Sequence, residues 1–350
     1  IEQLQQFAED KGLYYPVDFA SAGSSQIGGN IGTNAGGIKV IRYGMTRNWV
    51  LGLTVVTGKG DILELNRGMI KNATGYDLRH LFIGAEGTLG IVTKAQMKLE
   101  RAPQDLTVMV FGMDEFEHVM NVLSAFQSQL DLTAFEFFDD VAIDKLMATG
   151  HVQEPFEART KYYALLEFEA PYEPIMDKAM AMFEQCMDNG WIVDGVMSQS
   201  LSQAAELWKL REYISETISV FTPYKNDVSV LISYVPEFIK DIEQVVNANY
   251  PDFEICWFGH IGDGNLHLNI LKPENLTKDG FFEKCQSVND LVFQTVQKYG
   301  GSVSAEHGVG MTKKPYLNYS RSETEIEYLK ELKKVFDPNG IMNRGKIFDI

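Results

Sequence analysis

Only three cysteines, Cys186, Cys256 and Cys285, occur among the 350 residues. They stand far apart, are odd in number and form no C-x-x-C pair. That argues against a disulfide framework and a thiolate zinc site. It suits a reducing compartment, the cytoplasm or, in a eukaryote, the mitochondrion. Positive charge is also scarce: 31 Lys and Arg face 48 Asp and Glu, a net charge of −17. Such a chain offers no basic face to a phosphate backbone, so nucleic acid is not an expected partner. No apolar run approaches the roughly 18 residues that suggest a membrane-spanning helix. No G-x-G-x-x-G opens a helix with an acidic residue about 20 positions on, which speaks against a Rossmann site. The chain starts at Ile1, without methionine, inside a stretch, EQLQQFAEDKG, that reads as helix. A preceding segment is therefore expected.

What is present falls into two textures. The length suits two domains, each with its own core. Residues 21–95 are rich in glycine and in β-branched runs. "SAGSSQIGGNIGTNAGG" suggests backbone lying close to a ligand, because each glycine costs folding entropy. "VLGLTVVTGKGDILEL" predicts a hairpin around Gly58-Lys59-Gly60, and "LFIGAEGTLGIVTKAQMKLE" predicts a second strand pair. Beyond Ala102-Pro103, strands alternate with amphipathic helices. "DLTVMVFGM", "YYALLEFEA", "WIVDGVMS" and "DVSVLISYV" read as strands. "DEFEHVMNVLSAFQSQ", "PIMDKAMAMFEQCMDNG", "SQAAELWKLREYISETIS" and "PEFIKDIEQVVNANY" read as helices, with others near 280–299 and at "SETEIEYLKELKKVFDP". The expected class is α+β, with an antiparallel sheet covered by helices.

Two short stretches carry chemistry. In "FGHIGDGNLHLNI", residues 258–270, Asp263-Gly264 suits a two-residue hairpin turn. That turn places His260 directly opposite His267, about 4.5–5.5 Å apart at Cβ and on one face, with Asn269 on the same face. Two imidazoles so close suggest one metal ion; the plainer alternative is a hairpin with two solvated histidines. In "GGSVSAEHGVGMTKK", residues 300–314, Glu306 and His307 are adjacent. On extended backbone their side chains point to opposite sides. His260, His267 and Glu306 would make a two-histidine, one-carboxylate site with open coordination positions. His307 could then serve as general base. His80, His118 and His151 read as solvated or structural.

These motifs, "GHIGDGNLHLNI", "SAEHGVG" and "DPNGIMN", with "GGNIGTNAGG", "RYGMTRNWVLGLTVV" and "NATGYDLRHLFIGAEGTLGIVT", resemble the FAD-linked 2-hydroxy-acid dehydrogenases of the vanillyl-alcohol-oxidase flavoprotein superfamily. The resemblance runs from about residue 15 to the C-terminus. It implies the C-terminal part of a split FAD-binding domain plus a cap domain. Residues 1–100 would be the remaining part of the FAD domain, its N-terminal subdomain preceding Ile1. Residues 101–320 would form the cap with the metal site, and 321–350 a helix and tail returning to the flavin. The resemblance implies that Gly28, Gly29, Asn30, Thr33, Asn34, Gly36, Glu86, Ile91 and Asn343 lie along FAD. It implies that His260, His267 and Glu306 hold a divalent metal, zinc by expectation, and that His307 takes the substrate's hydroxyl proton. Arg211 and Ser215, four apart on one expected helix, would bind a carboxylate. Lys225 would supply a further cation, and Asn269 would touch substrate or metal. Arg344 stands where the family usually has proline.

The activity so implied is oxidation of a D-2-hydroxy acid to the 2-oxo acid, with electrons leaving to an unnamed acceptor and a homodimer as a possible assembly. Two cations predict a diacid, D-2-hydroxyglutarate, with D-lactate or glycolate as alternatives. A reading from another class is a metal-dependent hydrolase that uses only the histidine–glutamate site.

Overall fold

A computed structural model describes residues 1–350. It divides into two compact units: Ile1–Ala102 with Ser302–Ile350, and Pro103–Gly301. The first begins with α1 (Glu2–Glu9), β1 (Leu13–Tyr14), α2 (Ile27–Thr33) and α3 (Val40–Tyr43). Then come β2 (Val50–Thr57), β3 (Ile62–Leu65), α4 (Arg79–Phe82), β4 (Gly90–Met97) and β5 (Glu100–Arg101). β2 pairs with β3 as the hairpin that the sequence predicts, and with β4 on its other side, all antiparallel. Residues 81–100 do not form the expected strand pair: Leu81 and Phe82 end helix α4, and only β4 is a strand of the three-stranded sheet. Phe82 is fully buried with Ile31, Val55 and Phe336 in one core. Tyr15, Val17 and Trp49 form a second core.

The second unit is one seven-stranded sheet with neighbouring strands antiparallel throughout. Its elements are β6 (Leu106–Met113), α5 (Phe116–Gln127), β7 (Leu132–Asp139), α6 (Asp140–Thr149), β8 (Tyr162–Glu169), α7 (Glu173–Asp188), β9 (Asp194–Met197) and α8 (Leu201–Glu212). They continue as α9 (Ile214–Thr217), β10 (Tyr224–Ser229), α10 (Val235–Asn249), β11 (Ile255–Gly259), β12 (Asn265–Ile270) and α11 (Lys278–Lys298). The strand order is β10-β12-β11-β7-β8-β6-β9. The α+β expectation holds, and α12 (Glu323–Phe336) then returns the chain to the first unit.

Three local expectations change. The helix read across 202–219 breaks at Tyr213 into α8 and α9 and ends in a 3-10 turn. The strand expected at 227–235 begins at Tyr224 and stops at Ser229, so Lys225 lies within it. The segment 302–320, expected in the cap, belongs to the first compact unit. Hydrogen bonds hold it there: the Val309 and Gly310 N–H groups donate to Glu86, and Ile347 N–H donates to the Gly310 carbonyl. β7 and α6 carry no earlier expectation, and both prove central.

Asp139 ends β7 and caps α6. Its Oδ1 accepts the Ala142 N–H at 2.9 Å, and its Oδ2 accepts the Trp257 N–H of β11 at 2.7 Å. The residue is buried. Burial pushes its carboxyl up to about 8, against the pull of those two donors. Removing it orphans a helix cap and a strand N–H together. Asp139→Ala should therefore lower the stability of this unit by about 2–4 kcal/mol in urea unfolding. A raised carboxyl value means the fold favours the protonated form. This group's contribution then falls as pH rises from about 4 towards 8, and Asp139→Asn should flatten that part of the stability profile.

Candidate active site

The two central histidines sit in the second unit, but not as the sequence suggests. The two-residue turn does not form. Ile261–Asp263 makes a 3-10 turn and Gly264 takes φ +84°. A Cβ at Gly264 would lie 2.2 Å from the Val230 carbonyl oxygen. Asp263 Oδ1 accepts the Asn265 N–H, which closes the longer loop. The register consequently places Phe258, not His260, opposite His267. His260 and His267 are diagonal neighbours, which still share a face. Their rings meet edge to face, with centroids 5.2 Å apart and planes at 85°. Both residues are buried.

Each imidazole has a carboxylate at its Nδ1. His260 Nδ1 lies 2.7 and 2.9 Å from the two oxygens of Glu136 on β7. His267 Nδ1 lies 3.7 Å from Asp227 Oδ1 on β10, and Asp227 also accepts from the Asn265 amide. A carboxylate at Nδ1 leaves Nε2 as the atom that can bind a metal, and this donor set fits a divalent cation. Asn269 is buried, with its amide nitrogen spent on the carbonyls of Cys256 and His267. Its side-chain oxygen is the part left for a ligand.

Arg211, near the end of α8, is 5% exposed. Its Nε lies 2.8 Å from Glu136 Oε2, an ion pair off the direction of a hydrogen bond, and its guanidinium stacks 4.8 Å over Phe258. That contact uses Nε and leaves the terminal nitrogens as a fork for a carboxylate. One turn earlier, Trp208 Nε1 donates to Glu167 of β8, so two sheet carboxylates fix α8. Ser215, expected to share a carboxylate with Arg211, instead accepts from Lys225 Nζ at 3.2 Å. Lys225 is opposite Asn269 in the register. Although the residue is exposed, its surroundings desolvate the ammonium and hold it below the ordinary lysine value. An anionic ligand would relieve that.

The first unit holds the other expected residues. α2 carries Gly28, Gly29, Asn30 and Thr33, with Asn34 as its left-handed cap. A Cβ at Gly28 or Gly29 would meet nothing within 4 Å, so the backbone there lies open, as a large cofactor requires. Asn34 Oδ1 accepts the Arg47 N–H, and Asn30 reaches Ser25. Ile91 lies on β4 opposite Val56 with its side chain exposed. Glu86 has φ +50° and is a junction: it accepts from Val309 and Gly310, its N–H donates to the Gly32 carbonyl, and Asn343 donates to its own carbonyl. Glu86 therefore gives its carboxylate to the loop that bears Glu306 and His307. A Cβ on Gly36 would stand 3.1 Å from Glu306 Oε2, so this glycine makes room for that carboxylate. The backbone at 305–307 is bent and not extended. His307 Nε2 lies 3.9 Å from Glu306 Oε1, and the imidazole is 57% exposed against 17% for the carboxylate. The two side chains differ in exposure without pointing to opposite sides.

Glu136, Asp227, Glu167 and Phe258 were not legible as site residues. A signal existed for Glu136, a lone charge inside the apolar strand "LTAFEFFD", since such a charge is buried only with partners.

Known proteins give this arrangement a context. Residues 102–347 match the family model "FAD linked oxidases, C-terminal domain", and residues 1–66 match "FAD binding domain". The chain is 70% identical over 346 residues to a D-2-hydroxyglutarate dehydrogenase of Stutzerimonas stutzeri, covering 99% of this chain and 75% of that one. It is 51% identical to a D-2-hydroxyglutarate dehydrogenase of Xanthomonas citri, covering 100% and 74%. Among solved structures, an alkyldihydroxyacetonephosphate synthase shares the fold with a TM-score of 0.67 at 20% identity, over 98% of this chain and 62% of the synthase. A hydrolase that uses the histidine site alone leaves the FAD-binding match without a role. The chain belongs to the FAD-linked oxidases, within the vanillyl-alcohol-oxidase flavoproteins.

Proposed function

We propose that this enzyme oxidises a D-2-hydroxy acid, D-2-hydroxyglutarate foremost, to the 2-oxo acid by metal-assisted hydride transfer. The observation that carries the reading is the pair of facing imidazoles, each backed by a carboxylate, in the same unit as the Arg211 fork and the Lys225–Ser215 pair. The names of the Stutzerimonas and Xanthomonas relatives support the choice of acid. We assign residues 1–102 and 302–350 to the FAD-binding part and 103–301 to the cap.

His260, His267 and Glu306 would hold a divalent cation, zinc in this reading, which supplies Lewis acidity to the substrate hydroxyl. Gly28, Gly29, Asn30, Thr33, Asn34, Gly36, Glu86, Ile91 and Asn343 would line FAD, which supplies the two-electron acceptor when bound. The remaining work belongs to side chains. His307, an exposed imidazole outside the ligand set assigned here, takes the hydroxyl proton. Arg211 forks the carboxylate next to the reacting carbon. Lys225, steadied by Ser215, meets the distal carboxylate, which would be costly to bury unpaired. Two anchors at opposite ends of a short acid fix which face of the reacting carbon is presented.

Two measurements test this. In the FAD-loaded enzyme, His307→Ala should cut the turnover number by roughly 10²–10⁴ while the metal content stays at the wild-type level. Loss of metal from that variant would make His307 a ligand and not a base. Lys225→Met should lower catalytic efficiency for D-2-hydroxyglutarate by roughly 30- to 1,000-fold, equivalent to about 2–4 kcal/mol, with little change for D-lactate. Ser215→Ala should move the same ratio in the same direction by less. An unchanged ratio in Lys225→Met means that Lys225 does not read a second carboxylate.

A further inference from the structure

Glu136 is a charged side chain that touches both halves of the chemistry assigned to the second unit. Its carboxylate is buried, with only 1% of the side chain exposed. One edge faces His260 Nδ1 through both oxygens, and Oε2 also stands beside Arg211 Nε. It occupies the centre of the sheet, on β7, between β11 and β8. A lone carboxylate does not remain there unless its partners repay its desolvation. Here those partners are a metal-ligand candidate and a substrate-binding candidate.

We propose that Glu136 is a positioning residue that couples metal binding to carboxylate recognition. As acceptor, it keeps the His260 proton on Nδ1 and turns Nε2 outward as the metal-binding atom. The same carboxylate anchors Arg211 by Nε, so the terminal nitrogens are aimed and not free to rotate. Phe258 beneath the guanidinium limits its tilt. With a cation on His260 Nε2, the Nδ1–H···Glu136 bond would strengthen and Glu136 would give less of its charge to Arg211. The guanidinium would then have more to offer a substrate carboxylate. Asp227, 3.7 Å from His267 Nδ1, also accepts from the Asn265 amide, whereas Glu136 stands beside the Arg211 guanidinium. The two carboxylates differ in that Glu136 is held against both His260 Nδ1 and Arg211 Nε.

This inference rests on the metal reading above, and the test separates the two. Zinc affinity is measured by chelator competition for the wild-type enzyme, Glu136→Gln and Asp227→Asn, together with KM and kcat for D-2-hydroxyglutarate. Glutamine keeps the shape and loses the charge. Zinc affinity should fall by roughly 10–100-fold in Glu136→Gln, and KM should rise at saturating zinc. Asp227→Asn should lose zinc affinity without the rise in KM. If Glu136→Gln keeps wild-type zinc affinity, or loses it with KM unchanged at saturating zinc, the coupling role is wrong while the metal reading stands. A wild-type enzyme that binds no zinc or other divalent metal overturns both, and does so before any variant is made. Should Glu136→Gln fail to fold, ¹⁵N NMR of the histidine-labelled wild type with metal decides the same point. A protonated Nδ1 and metal-bound Nε2 at His260 are expected, and the reverse assignment sinks the proposal.

Discussion

A buried negative charge held between an imidazole and a guanidinium is the constraint around which the second unit is arranged. Glu136 cannot be hydrated, so its partners must come to it. His260 does so from just beyond the end of the neighbouring strand, and Arg211 from α8. Glu167 repeats the device one strand away, taking Trp208 Nε1 and the Thr133 hydroxyl. Two fixed points one helical turn apart leave α8 little freedom to slide or roll. Functional side chains on such a helix are placed by electrostatics in a low-dielectric setting, where poor geometry is expensive.

The first unit solves a different problem with a similar economy. Its loops are irregular, yet their polar backbone must be satisfied. Glu86 takes up that task. It adopts φ +50°, a region uncommon for residues with a side chain, and from there serves three separate segments. Lys333 plays a comparable part near the end of α12. It is buried, donates to the carbonyls of Thr88 and Met342, and pairs with Asp337. Asp337 in turn accepts from the N–H groups of Ile341 and Met342. The C-terminal tail is thus held by a buried ion pair with its remaining hydrogen bonds filled.

Much of this was legible in the chain, because periodicity and glycine placement report on backbone. The alternation of strands and amphipathic helices beyond residue 103 followed from the apolar pattern, and α5, α7, α10, α11 and α12 lie close to where it puts them. The facing of His260 and His267 on one side of a strand pair followed from period-two geometry. Their register did not, because Asp263-Gly264 is compatible with both a two-residue turn and the longer 3-10 loop. Only the contact at Val230 and the Asn265 bond decide between them. The break at Tyr213 is similarly silent, since nothing in "LREYISET" forbids a continuous helix. Glu136 and Asp227 stayed hidden for a third reason. A residue whose partners come from other strands makes no motif of its own; its contacts exist only once β7, β10, β11 and β12 are side by side.

The order in which the chain visits its units also sets a timetable. The first unit is left unfinished at Ala102 and resumed at Ser302. The Phe336 ring that packs against Phe82, and the ammonium that satisfies the Thr88 carbonyl, belong to the second instalment. At a synthesis rate of roughly 5–20 residues per second, some 10–40 s pass between the two. During that interval the second unit, continuous in sequence, has everything it needs to fold. The apolar faces around Ile31, Val55 and Phe82 must wait with a side uncovered. In a growing chain, the first unit is therefore the later and more aggregation-exposed of the two.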